Sequence, residues 1–148
     1  MKKTWIVVAD SAHARIFTAK TPTSPLEEIK DEVDIPATFR EKELVTDEPG
    51  RHANDSRMGV HAYEPEHTKH ETEAVRFAKA LAEELNKAFH LRKFEQLVLV
   101  APPKFLGHLR ESLHGPVLRA VSLQCEEDLV KETAEEIRRH LPEYLPQL

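Results

Sequence analysis

Two short runs of continuous apolar character constrain the fold of this chain more than any other sequence feature. The first, Thr4–Ala9, reads TWIVVA, and the second, Gln96–Ala101, reads QLVLVA. A strand that is covered on both faces does not alternate apolar and polar side chains, so both runs predict strands inside a sheet. We therefore expect the two runs to be adjacent central strands, with helices on both faces of the sheet.

The remaining strands are predicted on either side of these runs. Ala14–Ala19 predicts a strand that forms a hairpin with the first run, because only a short polar turn separates them. Leu26–Ile35 mixes apolar and charged residues and predicts a strand at the sheet edge. A helix is the alternative for that segment, and Pro36 ends either one. Val117–Gln124 predicts the last strand.

Three amphipathic segments predict helices. The clearest begins at the capping-box pattern Thr68–Glu71 and continues for about twenty residues with apolar positions at helical spacing. The second begins at Pro102-Pro103 and ends at His114–Pro116, where we expect Gly115 in a left-handed cap. The third covers Glu127–His140, with acidic residues first and basic residues last, as the helix dipole favours.

The predicted order is β-β-β-loop-α-β-α-β-α, an α/β fold with a mixed sheet of about five strands and three helices. This is the order of a ribonuclease-H-like fold, with later strands parallel and joined by right-handed crossovers. The length of 148 residues suits one domain, which we place at residues 1–141, with a mobile loop at about residues 37–67. Residues 142–148 are predicted to be a C-terminal tail.

Composition excludes several classes of protein. No apolar stretch approaches the ~20 residues that span a bilayer, and the N-terminal apolar run is shorter than a secretion signal requires. We therefore expect a cytoplasmic protein with no membrane partner. The single cysteine, Cys125, excludes an internal disulfide and a cysteine-based zinc site. The net charge of −5 argues against nucleic-acid binding by the charge of the whole protein, but leaves a local basic patch open.

The segment Val45–Tyr63 is the strongest candidate for function. It has few apolar residues, so we expect it to be the least ordered internal segment. It is also locally cationic within an acidic chain, although an ordinary solvated loop is the alternative. Guanidinium and imidazole groups suit phosphate oxygens, and a tyrosine ring can stack on a base. The candidate residues for binding an anion or RNA are Arg51, His52, Arg57, His61 and Tyr63.

Weaker candidates lie in two other places. Asp10 and Arg15 belong to the first predicted hairpin. Lys104 and Arg110 belong to a second basic group, on and after the helix that follows QLVLVA, for which a solvated helix face is the alternative. That group consists of Lys104, His108, Arg110, His114 and Arg119.

Catalytic and metal-binding arrangements are incomplete in this sequence. Asp10, Ser11 and His13 are too close in one turn to align as a catalytic triad, and Asp10 fits a turn residue better. A two-metal nuclease of the ribonuclease-H type needs a carboxylate after the fourth strand, where Pro102 and Pro103 stand instead. The spacings of the histidines near the loop match no ligand frame, so no metal and no cofactor is predicted.

Several motifs together resemble the bacterial host-attachment protein family. They are Val8-Ala9-Asp10 with Ala14–Phe17, the loop PGRHANDS, HETEAVRFAKALAEELNKA, APPKFLGHLRESL and the helix start Glu127-Asp128-Leu129. The resemblance covers about Lys3 to Leu141 and implies a protein required for attachment to host cells. It also implies a relation to the middle domain of archaeal and eukaryotic peptide-chain release factors, which has a ribonuclease-H-like topology.

The resemblance bears directly on the loop of residues 37–67. Release factors carry a Gly-Gly-Gln motif between the third strand and the first helix, and this sequence has no such motif. The resemblance therefore implies the scaffold and an RNA- or ribosome-directed loop, rather than peptidyl-tRNA hydrolysis. We predict a non-enzymatic cytoplasmic binding module that contacts ribosome or RNA. The alternatives are a hydrolase or nuclease that uses Asp10 and the loop histidines, and an indirect regulator of attachment that binds a protein partner.

Overall fold

A mixed sheet of five strands forms the centre of the computed structural model, which describes residues 1–29 and 65–148. Within residues 65–70 the description covers the backbone alone. The strands are β1 (Thr4–Ala9), β2 (Ala14–Thr18), β3 (Glu27–Ile29), β4 (Gln96–Val100) and β5 (Val121–Cys125). The helices are α1 (Pro65–His90), α2 (Pro103–Ser112), α3 (Gly115–Arg119) and α4 (Ala134–Arg139).

The two continuous apolar runs are the adjacent central strands, as predicted. The strand order is β3-β2-β1-β4-β5, and β1 pairs in parallel with β4, with Val8 opposite Val100. Every residue of β1 and β4 is buried. β1 forms an antiparallel hairpin with β2, and β4 pairs in parallel with β5. The predicted class, a single α/β domain with a mixed sheet, is confirmed, and the ribonuclease-H-like assignment stays a prediction.

Alternate side chains of the central strands build a core on each face of the sheet. On one face Trp5 of β1 packs with Leu81 of α1 and with residues of α2. On the other face Ile6 packs with Ile137 of α4 and with Leu145 of the C-terminal segment. Both faces of β1 and β4 are covered. These two strands are therefore apolar from their second residue onward, which explains the sequence pattern.

The edge strand β3 confirms the first part of the strand predicted for Leu26–Ile35. It pairs antiparallel with β2 and places Glu27 and Glu28 at exposed positions. The rest of that predicted strand lies outside the described residues, as do residues 37–64 of the predicted loop and the expectation of low order in Val45–Tyr63. α1 begins at Pro65, before the predicted cap at Thr68.

The chain between α2 and β5 differs from its prediction. Gly115 and Pro116 begin helix α3 instead of ending α2, and proline suits a first helical turn because its missing amide would have no partner there. No described glycine has a positive φ, so the prediction of Gly115 as a left-handed cap is wrong. Because α3 occupies residues 115–119, β5 begins at Val121 rather than at Val117.

Helix α4 is shorter than the predicted Glu127–His140. It begins after Thr133, whose hydroxyl oxygen accepts a hydrogen bond from the Glu136 amide at 3.1 Å. Leu129 and Val130 are buried in irregular backbone before this cap. The acidic residues after β5 led to the prediction of an earlier helix start. Because Leu129 and Val130 are buried against the core, the chain packs there in irregular backbone and the helix begins only after Thr133.

Arg138 ties the end of the chain to the loop between β2 and β3. Its guanidinium donates hydrogen bonds to carbonyl oxygens of that loop and of the segment after α4, at 2.8–3.0 Å. The acceptors are Pro22, Ser24, Pro142 and Glu143. One side chain therefore joins two segments that are distant in sequence.

Gln96 anchors the chain terminus to the start of β4. Its side chain is fully buried, donates to Thr4 Oγ1 and to the Pro146 carbonyl at 3.0 Å, and accepts from the Leu148 amide at 2.7 Å. The polar first residue of QLVLVA is thus satisfied inside the core, as a buried amide requires. Residues 142–148, predicted as a tail, pack on the sheet through this contact and through buried Leu145.

Candidate functional site

A cleft of about 390 Å³ lies at the carboxyl ends of the parallel strands β1, β4 and β5. The turn after β1, the N-terminal parts of α1 and α2, and the segment after β5 form its walls. In open α/β sheets this edge is where ligands bind, because the loops that follow neighbouring strands diverge there. The lining includes Asp10, Glu71, Lys104, Phe105, His108 and Asp128.

Asp10 shapes the turn on one side of this cleft. Its Oδ1 accepts hydrogen bonds from the amides of Ala12 at 2.9 Å and His13 at 2.7 Å. The Asp10 amide donates in turn to the His13 carbonyl at 2.9 Å. The interpretation of Asp10 as a turn residue is therefore confirmed. The Ala12 and His13 amides both bind Oδ1, so this oxygen of the carboxylate stabilises the turn.

Lys104 stands at the start of α2, on the other side of the cleft. Its Nζ lies 3.6 Å from Glu71 Oε2 of α1, and both side chains are substantially exposed. Exposed pairs of this kind contribute little to stability, so Lys104 can exchange Glu71 for an anionic ligand at small cost. The first turn of α2 contains no acidic residue and no side-chain cap, so its positive end remains available to an anion.

His108 is the most distinctive residue of the cleft wall. Its Nε2 is buried and has no hydrogen-bond partner. A buried polar group without a partner costs about 1–3 kcal/mol, so a ligand group that reached this nitrogen would recover that free energy. The sequence placed His108 in the second basic group but did not distinguish it. The spacing of residues along a helix does not predict which ring nitrogen lacks a hydrogen-bond partner, because this depends on how the side chain packs in the folded protein.

The carboxylates of the cleft do not assemble into a metal centre. Asp10 is held by turn amides and Glu71 by Lys104. Within the side chains that the structure describes, no group of three or more His, Cys, Asp or Glu could hold a metal ion. The cleft therefore combines one lysine, Lys104, with the carboxylates of Asp10, Glu71 and Asp128, the ring of His108 and the apolar side chains of Ala74 and Phe105.

Cys125 ends β5, near the wall of the cleft that contains Asp128. Burial raises the pKa of the Cys125 thiol, and the nearby Glu127 carboxylate raises it further. Since the thiolate is the nucleophilic form, this thiol is not activated for covalent chemistry.

Arg15 and Arg110, the other weaker candidates, lie outside the cleft lining. Arg15 Nη1 donates to the carbonyls of Val130 at 2.8 Å and Glu132 at 2.7 Å. Its Nε and Nη2 donate to the two carboxylate oxygens of Glu28 at 3.1 and 2.9 Å. These contacts join the β2–β3 pair to the segment before α4. Arg110 is exposed on α2.

The strongest sequence candidates lie outside the described residues; they are Arg51, His52, Arg57, His61 and Tyr63. The described chain before them ends at Ile29, which lies opposite Ile16 and lines a groove at the amino ends of the strands. β3 is parallel to β1, since both are antiparallel to β2, so at Ile29 the chain points toward the cleft edge. α1 begins at Pro65, less than two turns before Glu71, which lines the cleft.

Comparison with known proteins adds one family match. The family described as "Protein required for attachment to host cells" matches residues 5–141, which is most of the chain. No curated protein matches the chain. Within the described residues no helix is both long enough and apolar enough to cross a membrane.

Proposed function

The chain belongs to the family of proteins required for attachment to host cells, and on that premise we propose that it serves attachment as a non-enzymatic cytoplasmic binding module. The observation that carries the proposal is the cleft at the carboxyl edge of β1, β4 and β5, with Lys104 on its rim and the unpartnered Nε2 of His108 in its wall. From the sequence alone, we also propose that the segment Val45–Tyr63 contributes to binding through Arg51 and Arg57.

The chemistry of the cleft favours binding over catalysis. Asp10 Oδ1 accepts two amides of the turn after β1, and Glu71 lies 3.6 Å from the Lys104 ammonium in an exposed pair. The raised pKa of Cys125 keeps its thiol protonated near neutral pH. A nucleophile and a base within hydrogen-bonding distance, which hydrolysis requires, are therefore not assembled from these groups.

The ligand we propose is RNA, free or within the ribosome, with its phosphates contacted by Lys104 and by the arginines of Val45–Tyr63 and not by the carboxylate-lined part of the cleft. Lys104 and the first turn of α2 suit a phosphate oxygen, and a recess with an apolar floor and polar rim suits an unstacked base. Arg51 and Arg57 would add phosphate contacts from the segment Val45–Tyr63. The relation to release factors that the sequence resemblance implies points to the same class of ligand.

Capture of the native protein from its own cytoplasm after ultraviolet cross-linking tests this function. The cleft variant combines Lys104→Ala with His108→Ala, and the control combines Arg110→Ala with His114→Ala, which likewise removes one cationic residue and one histidine, at exposed positions outside the cleft. We expect wild type and control to recover RNA or ribosomal subunits. The cleft variant should recover about tenfold less, because a hydrogen bond to a charged group contributes about 1.5–3 kcal/mol.

Equal RNA recovery by the cleft variant and the control would contradict a role for the cleft. Recovery of one stoichiometric protein without RNA would support the protein-partner alternative instead. A turnover of RNA by wild type that Asp10→Ala abolishes would support the hydrolase and overturn the non-enzymatic proposal.

A further inference from the structure

A cationic surface lies at the amino ends of the parallel strands, at the opposite end of the central strands from the cleft. An open groove of about 600 Å³ there is lined by five basic residues from three separate segments. We call them the amino-edge basic surface; they are Lys2, Lys3, Lys20, Arg92 and Lys93. These residues come from the N-terminus, the turn after β2 and the turn after α1. Because the three segments are distant in sequence, no local motif predicts this surface.

The surface carries an excess of positive charge in a chain whose net charge is −5. Two carboxylates contact it: Glu27 Oε2 lies 3.6 Å from Lys20 Nζ, and Glu95 Oε1 accepts the Lys3 amide at 2.9 Å. Among the described residues, basic side chains therefore outnumber the carboxylates in these contacts. Such a local excess selects an anionic partner.

Exposed aliphatic side chains accompany these cations. Leu91 is 63% exposed and Met1 is 46% exposed, and both line the same groove. Trp5, the aromatic residue of the groove, is only 3% exposed, so its ring is not free to stack on a nucleotide base. Cations beside protruding aliphatic groups are typical of surfaces that lie on a bilayer.

Arg92 supports a functional reading of this surface. It adopts a φ of 60°, the left-handed region that favours glycine at the end of a helix. A long cationic side chain there costs stability, and local rules of this kind are most often broken at functional positions. The conformation places Arg92 beside exposed Leu91 at the tip of the turn.

We propose that the amino-edge basic surface binds an anionic phospholipid bilayer; the expectation of no membrane partner rested on the lack of a spanning segment, which surface binding does not need. Leu91 and Met1 enter the interface between headgroups and acyl chains, and the lysine and arginine side chains face the lipid phosphates. This proposal is independent of the cleft and of its ligand, because the two sites lie at opposite ends of the central strands.

Flotation of the purified full chain with lipid vesicles tests the proposal. We expect binding to vesicles of equal parts phosphatidylglycerol and phosphatidylcholine, weakening as salt rises, and little binding to phosphatidylcholine alone. The variant Lys2→Ala, Lys20→Ala, Arg92→Gly should bind anionic vesicles about a hundredfold more weakly than wild type, because each cation removed should lower the affinity about fivefold. Glycine is chosen at Arg92 because it retains the left-handed turn.

Matched variants separate this surface from the effect of net charge. Lys79→Ala, Arg119→Ala, Lys131→Ala removes the same number of exposed cations from outside the groove and should bind vesicles as wild type does. Leu91→Ser should weaken binding several-fold with an unchanged salt dependence, since it removes apolar contact alone. The proposal would be overturned if the two triple variants lost vesicle binding to the same extent. It would also be overturned if wild type bound neutral and anionic vesicles equally well, or if this surface bound an RNA oligonucleotide but no vesicles.

Discussion

Arg92 adopts a left-handed backbone conformation, with a φ of 60°, that allows the carbonyl groups at the end of α1 to accept hydrogen bonds. The Lys93 amide donates to the Ala88 carbonyl and the Arg92 amide to the Phe89 carbonyl, both at 2.9 Å. This pair of bonds closes α1 in a Schellman motif, whose left-handed position usually holds glycine.

At this residue we predict that Arg92→Gly stabilises the protein. The left-handed conformation costs a residue with a Cβ about 1–2 kcal/mol, which the greater chain entropy of glycine partly offsets. The free energy of unfolding should rise by up to about 1 kcal/mol in urea denaturation, whereas Arg92→Ala should give no such gain. A loss of stability in the glycine variant would show that the Arg92 side chain makes contacts that outweigh its strain.

Cys125 gives a second prediction at the residue scale. Because its folded pKa is raised, the protonated thiol favours folding, and this contribution is complete below the ordinary thiol pKa and is lost as pH rises through the folded value. Iodoacetamide should therefore alkylate the folded protein more slowly than the urea-unfolded chain at about pH 8.5, the ordinary thiol pKa. Folded protein that reacts as fast as unfolded chain would contradict the raised pKa.

At the scale of elements, Arg138 of α4 holds the start of the C-terminal segment, while Gln96 and buried Leu145 hold its end. We predict that Arg138→Lys destabilises the protein, because a lysine ammonium cannot donate to carbonyls of both adjoining segments as the guanidinium does. The loss should be about 2 kcal/mol, and amide exchange of residues 143–148 should accelerate. The neighbouring substitution Arg139→Lys, at an exposed position, is the control and should change stability little. Unchanged exchange in the Arg138 variant would show that Gln96 and Leu145 hold the segment unaided.

The elements also show what a sequence can and cannot predict. β1 and β4 were predictable because complete burial on both faces leaves an uninterrupted apolar run. α3 was missed because a glycine-proline pair is typical of both a helix end and a helix start, and only packing of Val117 decides between them. The Thr133 cap was obscured by the acidic run before it.

The candidate site was predictable to a similar degree. Asp10, which follows the first predicted strand, and Lys104, a member of the second basic group, were weaker candidates from the sequence, and both line the cleft. The unpartnered nitrogen of His108 was not foreseen, since it results from the packing around α2. The amino-edge basic surface was not foreseen either, because its three segments are brought together only by the completed sheet.

For the whole molecule, the sheet separates two surfaces of different chemistry. The cleft follows the carboxyl ends of β1, β4 and β5, and the amino-edge basic surface precedes the starts of β1 and β4. A strand of five residues such as β4 spans about 17 Å, so the two surfaces can contact different partners at the same time. A module in the attachment family could thereby join an RNA ligand to a lipid surface without catalysing a reaction.

The central claim is that the cleft edge and the segment Val45–Tyr63 bind RNA by charge. The most direct test measures RNA affinity against salt for wild type and for the double variant Arg51→Ala, Arg57→Ala. For single strands each phosphate contact contributes about 0.7 to the slope of log affinity against log salt, so loss of two contacts should flatten the slope by about 1.4. We predict this flattening with an unchanged thermal midpoint, and identical RNA affinities for the two proteins at low and moderate salt would contradict the claim.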